Sequence, residues 1–109
     1  MISIIETDRC KEDSYTGIIM DIVNDGNTVG HMSLMVDEKS CYLERIDITP
    51  SEQGKGYGSS AMQLLTRMYN TVYAAPDNPD SQRLFARIGE PYEADEANYV
   101  DQGYGVYLL

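Results

Sequence analysis

Apolar residues gather in SYTGIIMDIV (14–23), which predicts a strand. Asp25-Gly26 follows, a tight-turn pair of the kind that closes hairpins. TVGHMSLMV (28–36) then predicts a returning strand. After the turn residues DEKS, CYLERIDIT (41–49) predicts a third, ended by Pro50. The period changes beyond that point. From Ser59 to Tyr69 the apolar residues Ala61, Met62, Leu64, Leu65, Met68 and Tyr69 fall at helical spacing. TVYAA (71–75) reads as a short buried strand. NPDSQRLFARIG (78–89) reads as a second helix, with Asn78 as cap, Pro79 in the first turn and Gly89 at the stop. Residues 97–109 hold enough Tyr, Val and Leu for one or two closing strands, interrupted at Gly103 and Gly105.

Strands, helix, strand, helix, strands is the order of a layered α/β (α+β) fold with helices packed on a mixed, mostly antiparallel sheet. At 109 residues, one domain over 1–109 is expected. The formal net charge of −10 changes the choice of partner. Such a chain repels nucleic-acid phosphates and attracts a cationic amine or a basic protein surface. No Lys or Arg follows Arg87, so the tail carries acidic charge alone. The plain alternative is a solvated acidic face that aids solubility. Two cysteines, Cys10 and Cys41, and a single histidine, His31, make no zinc spacing. The cysteines are expected as two thiols, with disulfide, ligand and nucleophile as the alternatives. MISIIETDRC lacks the long apolar run of a leader, and no stretch reaches membrane-spanning length, so a cytoplasmic setting without membrane is expected.

The chemistry concentrates in QGKGYGSS (53–60), which joins a predicted strand end to a predicted helix start. Free N–H groups and the positive end of a helix dipole meet there, and glycines let an anion approach the backbone. Lys55 adds a mobile positive charge. A Walker loop requires a hydroxyl residue directly after its lysine, and Gly56 occupies that place. A dinucleotide fingerprint requires Gly-x-Gly-x-x-Gly, and this loop spaces its glycines Gly-x-Gly-x-Gly. Taken alone, the loop reads either as a phosphate cradle or as a plain turn.

The segment YLERIDITPSEQGKGYGSSAMQLL resembles the pyrophosphate-binding segment of the GCN5-related N-acetyltransferases, the GNAT superfamily. Gln53, Gly56 and Gly58 match the Gln/Arg-x-x-Gly-x-Gly/Ala signature, and Ile48-Thr49-Pro50 matches the step that ends the preceding strand. NPDSQRLFARIGE is similar to the second family motif through Asn78, Leu84 and Gly89, with Ser81 for Ala, Phe85 for Tyr and Glu90 for Phe. DGNTVGHMSLMV resembles the family's hairpin. The resemblance runs from about Ile18 to Glu90 and identifies the chain as a compact member.

It implies an acetyl-CoA-dependent N-acetyltransferase acting on a primary amine: a protein lysine, an N-terminus or a small amine. Coenzyme contacts are implied for Gln53, Gly54, Lys55, Gly56, Tyr57, Gly58 and Ser59 at the pyrophosphate. Ile46 and Ile48 would lie along the pantetheine arm on a strand splayed from 71–75, with Asn78, Ser81 and Phe85 beside it. The backbone N–H of Ile48 is the implied donor to the thioester carbonyl.

Strict alternation puts Tyr42, Glu44, Ile46 and Ile48 on one face and Leu43, Arg45 and Asp47 on the other. Glu44 is the implied base, acting through water, and is equally readable as an ion-pair partner of Arg45, Lys39 or Lys55. Asp47 is the alternative holder of a cationic acceptor. Phe85 departs from the family tyrosine that protonates the leaving thiolate. Tyr73 is the nearest substitute, with Tyr92 behind it. Two alternatives stand beside that substitution. The thiolate departs without an acid, or the chain is a non-catalytic coenzyme A binding module or an acidic interaction or inhibitor protein. The family's helical pair before the second strand is expected to be reduced or absent, leaving an open acceptor face for a protein lysine or a partner subunit, a homodimer included.

Overall fold

The protein is described by a computed structural model covering residues 1–38, 40–76, 78–92 and 106–109. Among these residues seven strands form one sheet: β1 (Ile2–Lys11), β2 (Thr16–Asn24), β3 (Asn27–Asp37), β4 (Ser40–Ile48), β5 (Thr71–Ala74), β6 (Glu90–Tyr92) and β7 (Val106–Leu108). Their spatial order is β1-β2-β3-β4-β5-β7-β6. All neighbours are antiparallel except β4 and β5, which run parallel because α1 (Tyr57–Met68) crosses between them. A second helix, α2 (Pro79–Ile88), follows β5.

The three predicted meander strands are β2, β3 and β4. Asn24 faces Asn27 across a two-residue turn in which Asp25 and Gly26 both have positive φ (51° and 85°). That backbone matches the twist of the flanking strands, which is why Asp-Gly suits the position. The strand preceding them is not foreseen from the sequence. Residues 2–11 pair along β2, and the connection through 12–15 is a short hairpin with no helical pair in it. Of the predicted closing strands, residues 97–105 lie outside the described residues and Val106–Leu108 is strand.

Both helices pack on one face of the sheet. Ile18, Met20 and Ile22 of β2, Met32 and Leu34 of β3, Cys41 and Leu43 of β4 and Val72 and Ala74 of β5 form the core with Ala61, Met62 and Leu65 of α1 and Phe85 of α2. Each large apolar side chain buried there contributes about 1.5–3 kcal/mol over leaving it in water. The opposite face carries no helix among the described residues. Its small cluster is Tyr42, Ala75 and Val106, flanked by Met35 and Tyr73.

Strict alternation fails on β4. Ser33 pairs with Arg45 while Leu34 pairs with Leu43, so Glu44 is an extra residue, a β-bulge. The bulge resets the side-chain parity. Cys41 and Leu43 before it and Ile46 and Ile48 after it all point to the helices, although their numbers differ in parity. Tyr42 lies on the helix-free face. Arg45, the rung partner of Ser33, and Asp47 share that face. The expected grouping of Tyr42 with Ile46 and Ile48 is therefore corrected.

Candidate functional site

Strands β4 and β5 are paired only from Ser40↔Thr71 to Leu43↔Ala74. Beyond Leu43 the chain after β5 turns away towards α2, while β4 continues to Ile48 beside β3 alone. The ladder shows which backbone groups this split leaves open. Thr49 N–H donates to Val29 C=O at 2.9 Å, flanking the Ile48↔Gly30 rung. Antiparallel alternation then turns the N–H and C=O groups of Ile46 and Ile48 away from β3, into the split. The Ile48 carbonyl confirms the direction, since Gln53 Nε2 donates to it at 3.0 Å.

Past Ile48 the chain makes a single 3-10 turn, Pro50–Glu52, and enters the glycine loop. Gly54 and Gly56 both have φ of +81°, which side-chain-bearing residues rarely adopt, and a Cβ at either would meet nothing within 4 Å. Their backbones are thus curled and also uncovered. Gly56 is the N-cap of α1 and offers no side-chain cap. The first intrahelical bond is Ser60 N–H to Gly56 C=O at 3.1 Å, so the N–H groups of Tyr57, Gly58 and Ser59 precede the ladder. The first turn of α1 also carries no acidic residue. An anion placed there meets several N–H groups and the positive end of the helix dipole. Tyr57 is fixed from the far side, its hydroxyl accepting from Asn24 Nδ2 at 3.0 Å.

This loop forms the wall of a cleft of about 410 Å³ that also reaches Ile48, Leu84 and Arg87. A second cleft of about 290 Å³ shares Ile48, Gln53 and Leu84 with it and continues past Ile46 and Asp47 to Asn78, Asp80 and Ser81. Together they make one channel from the α1 N-terminus along the split strand. Gly58 lets the two helices close over its floor, since a Cβ there would already touch Leu84 Cδ2 at 3.3 Å.

The structure brings Ile46, Ile48, Gln53, Gly54, Gly56, Tyr57, Gly58, Ser59, Asn78 and Ser81 to this channel. Lys55 is not among the lining residues: its Nζ bonds Oε2 of Glu52, which does line the cleft, at 2.9 Å, and that bond holds the ammonium pKa above its usual value. The cation lining the cleft is Arg87, whose Nη2 lies 3.5 Å from Ser59 Oγ. Sequence reasoning missed it. The signal was its place one helical turn after Leu84, on the same face of α2.

Asn78 acts as the N-cap of α2, its Oδ1 accepting from Ser81 N–H at 2.8 Å. Phe85 is 2% exposed and belongs to the core rather than to either cleft. Tyr73 is half-buried on the helix-free face, in register with Tyr42. Glu44 is exposed and lines a groove on that same face. Two of its expected partners are engaged elsewhere, Arg45 with Asp47 at 2.6 Å and Lys55 with Glu52. Lys39 and the side chain of Tyr92 lie outside the described residues. The described residues include no cluster of three or more metal-ligating side chains and no helix long and apolar enough to cross a membrane.

The site is thus a parallel strand pair that splits, with a glycine loop and an uncapped helix N-terminus at the split. The Acetyltransferase (GNAT) family model matches residues 3–89, and the chain belongs to that family. Among solved structures it is similar to GCN5 of Tetrahymena at a TM-score of 0.66 and 16% identity, covering 84% of this chain and 66% of that one. It is also similar to the PaiA N-acetyltransferase of Thermoplasma acidophilum in complex with coenzyme A, with TM-score 0.59, 13% identity, and coverage of 83% and 57%. The N-acetylglutamate synthase of Neisseria gonorrhoeae, complexed with coenzyme A and N-acetyl-glutamate, gives 0.62 and 17%, with coverage of 83% and 24%. The chain thus spans less than two thirds of the PaiA chain and about a quarter of the synthase. No curated protein matches it in sequence.

Proposed function

We propose that residues 1–109 act as one acetyl-CoA-dependent N-acetyltransferase unit that acetylates a primary amine. The observation that carries this reading is the junction of the split strand with the uncapped N-terminus of α1. Strand groups of Ile46 and Ile48 that turn away from β3, the Ile48 carbonyl already accepting from Gln53, lead to the helix N–H groups of Tyr57, Gly58 and Ser59 that precede the α1 ladder. An extended amide-bearing arm ending in a pyrophosphate fits that sequence of donors and acceptors. PaiA and the synthase both hold coenzyme A on this fold, which supports the choice of ligand.

In this reading the backbone of Gln53 to Ser59 and the guanidinium of Arg87 hold the pyrophosphate, while Ile46 and Ile48 pair with the arm. When bound, acetyl-CoA supplies an activated acetyl thioester. Ile48 N–H donates to the acyl oxygen, where negative charge develops. Glu44 takes the proton that the attacking amine must lose, through water. Tyr73 shares the helix-free face with Glu44 and is the proton donor to the sulfur, a role that Phe85 has no hydroxyl to fill. The acceptor is cationic, drawn by the chain's net negative charge, and the setting is cytoplasmic.

Phe85, buried in the core, favours a second reading: a coenzyme A binding module that does not transfer efficiently, or an acidic interaction protein on this fold. One experiment separates them. The protein is titrated with coenzyme A by calorimetry and then incubated with labelled acetyl-CoA and amine acceptors. Binding with label transfer is the expected result; binding with none selects the binding module, and absence of binding overturns both coenzyme readings and leaves the acidic interaction protein.

A further inference from the structure

The helix-free face of the sheet is unusual for a layered fold because it leaves apolar side chains uncovered among acidic ones. Ile5 and Ile19 are 51% and 38% exposed, and Met35 is half-buried beside them. Register places them together. Ile5 pairs with Asp21, Asp8 with Ile19, and Met35 with Tyr42, whose side chain belongs to this face. Between them runs a groove of about 320 Å³ whose lining includes Ile19 and Met35 as well as Asp8, Glu12 and Glu44. Among the described residues the cation lining this groove is Arg9, already held by Glu6 through two bonds of 3.2 and 2.7 Å. Elsewhere on the face, Arg45 is held by Asp47 and the His31 ring lies against Asp21.

Charge decides what covers such a face. A second copy would bring Asp8, Glu12 and Glu44 against their own equivalents, and like charges across an interface cost several kcal/mol. A basic segment meets complementary charge at the rim, and the aliphatic stems of its lysines match Ile19 and Met35 below. Glu44, the base of the proposed reaction, lines this groove, and Ile46 of the cleft lies two residues further along β4, roughly 7 Å away on the other face of the strand.

We propose that this face docks an extended, basic stretch of an acceptor protein, so that the amine acceptor is a lysine presented in a Lys-rich, amphipathic segment. The proposal rests on the acetyltransferase reading for the fate of the lysine, but docking is measurable without transfer. The probe is a fluorescein-labelled peptide of alternating lysine and leucine, followed by fluorescence anisotropy in the absence of acetyl-CoA. Comparison peptides carry glutamate for lysine, or serine for leucine. The lysine–leucine peptide should bind, both comparison peptides at least about tenfold more weakly, and added salt should weaken the first. Asp8→Lys with Glu12→Lys should cost about tenfold or more, the milder Asp8→Asn with Glu12→Gln less, and Ile19→Ser should weaken binding while coenzyme A affinity is unchanged. All these side chains are exposed or rim-placed, and a thermal melt checks each fold. Equal binding of the three peptides, or charge-reversed protein that binds as wild type, overturns the proposal. So does a dimer, seen by sedimentation, that the same substitutions strengthen. Peptide binding without label transfer would retain the docking face and reject the acetyltransferase reading; transfer to small amines without peptide binding would do the reverse.

Discussion

Gln53 Nε2 donates to the carbonyl oxygen of Ile48 at 3.0 Å, tying the glycine loop back onto the open edge of β4. The bond links the two halves of the channel, because Ile48 belongs to the split strand and Gln53 opens the turn into α1. Gln53→Ala removes it from an exposed position, and the net loss for a neutral bond is about 1 kcal/mol. The expected result is coenzyme A affinity lowered about fivefold with little change in melting temperature, read by calorimetry and a thermal scan. An unchanged affinity would show that the loop holds its shape without the tether.

Gly56 combines a left-handed backbone, φ +81°, with the N-cap of α1. Gly56→Val places a β-branched residue there at a cost of roughly 1–2 kcal/mol, and puts its side chain over the helix N–H groups. Gly26 has similar φ, +85°, in the β2–β3 turn far along the chain from the loop, so Gly26→Val supplies the control for strain alone. Both variants should lose several degrees of melting temperature. Only Gly56→Val should lose coenzyme A binding, and a parallel loss in both would reduce Gly56 to a folding role.

Arg87 is the cation that lines the loop cleft. Charge-assisted bonds contribute about 1.5–3 kcal/mol, so Arg87→Ala should weaken coenzyme A by about tenfold or more, whereas Lys55→Ala, which breaks a surface pair with Glu52, should change it far less. Calorimetry at two salt concentrations checks both. Salt sensitivity should fall for the Arg87 variant.

What the sequence made legible follows the strength of local signals. The β2–β3 turn, the two helices and the loop were readable because Asp25-Gly26, the apolar spacing of Ala61, Met62 and Leu65, and the Asn78-Pro79 start each encode one conformation locally. β1 was not, because its alternation runs only through Ile2 and Ile4 before register shifts between Glu6 and Asp8 and exposed charged residues follow. The bulge at Glu44 did leave a trace, since two polar residues, Glu44 and Arg45, separate apolar Leu43 from Ile46 and break the two-residue period, but only pairing with β3 shows which residue is extra. Arg87 was hidden because its role depends on how α2 lies across α1, a tertiary fact.

Glu44 and Tyr73 both face away from the helices, where an amine would approach. Glu44→Gln should lower kcat about a hundredfold or more, the usual size of a lost general base, with coenzyme A affinity intact. Tyr73→Phe should lower kcat as well, again with coenzyme A affinity intact. Rates unchanged in both would remove Glu44 and Tyr73 from the chemistry.

Cys41 gives a prediction on stability that does not depend on function. It is fully buried, and burial pushes its thiol up to about 12. In the unfolded chain the same thiol titrates near its ordinary value of about 8.5. The folded form therefore keeps a proton that the unfolded form releases between these limits. Linkage makes stability fall as pH rises through that window, and the contribution is fully present below it. Replacing Cys41 with Ser would bury a hydroxyl in place of a thiol, so Cys41→Ala is the cleaner variant, at the cost of a small cavity. Urea melts of wild type should lose stability from about pH 8.5 upward, more steeply than those of Cys41→Ala. Alkylation gives the second readout: iodoacetamide should label exposed Cys10 in the native protein and reach Cys41 only as the chain unfolds. Rapid native labelling of Cys41 would mean that β4 opens locally beside the split, and the channel wall would then be a mobile element rather than a fixed one.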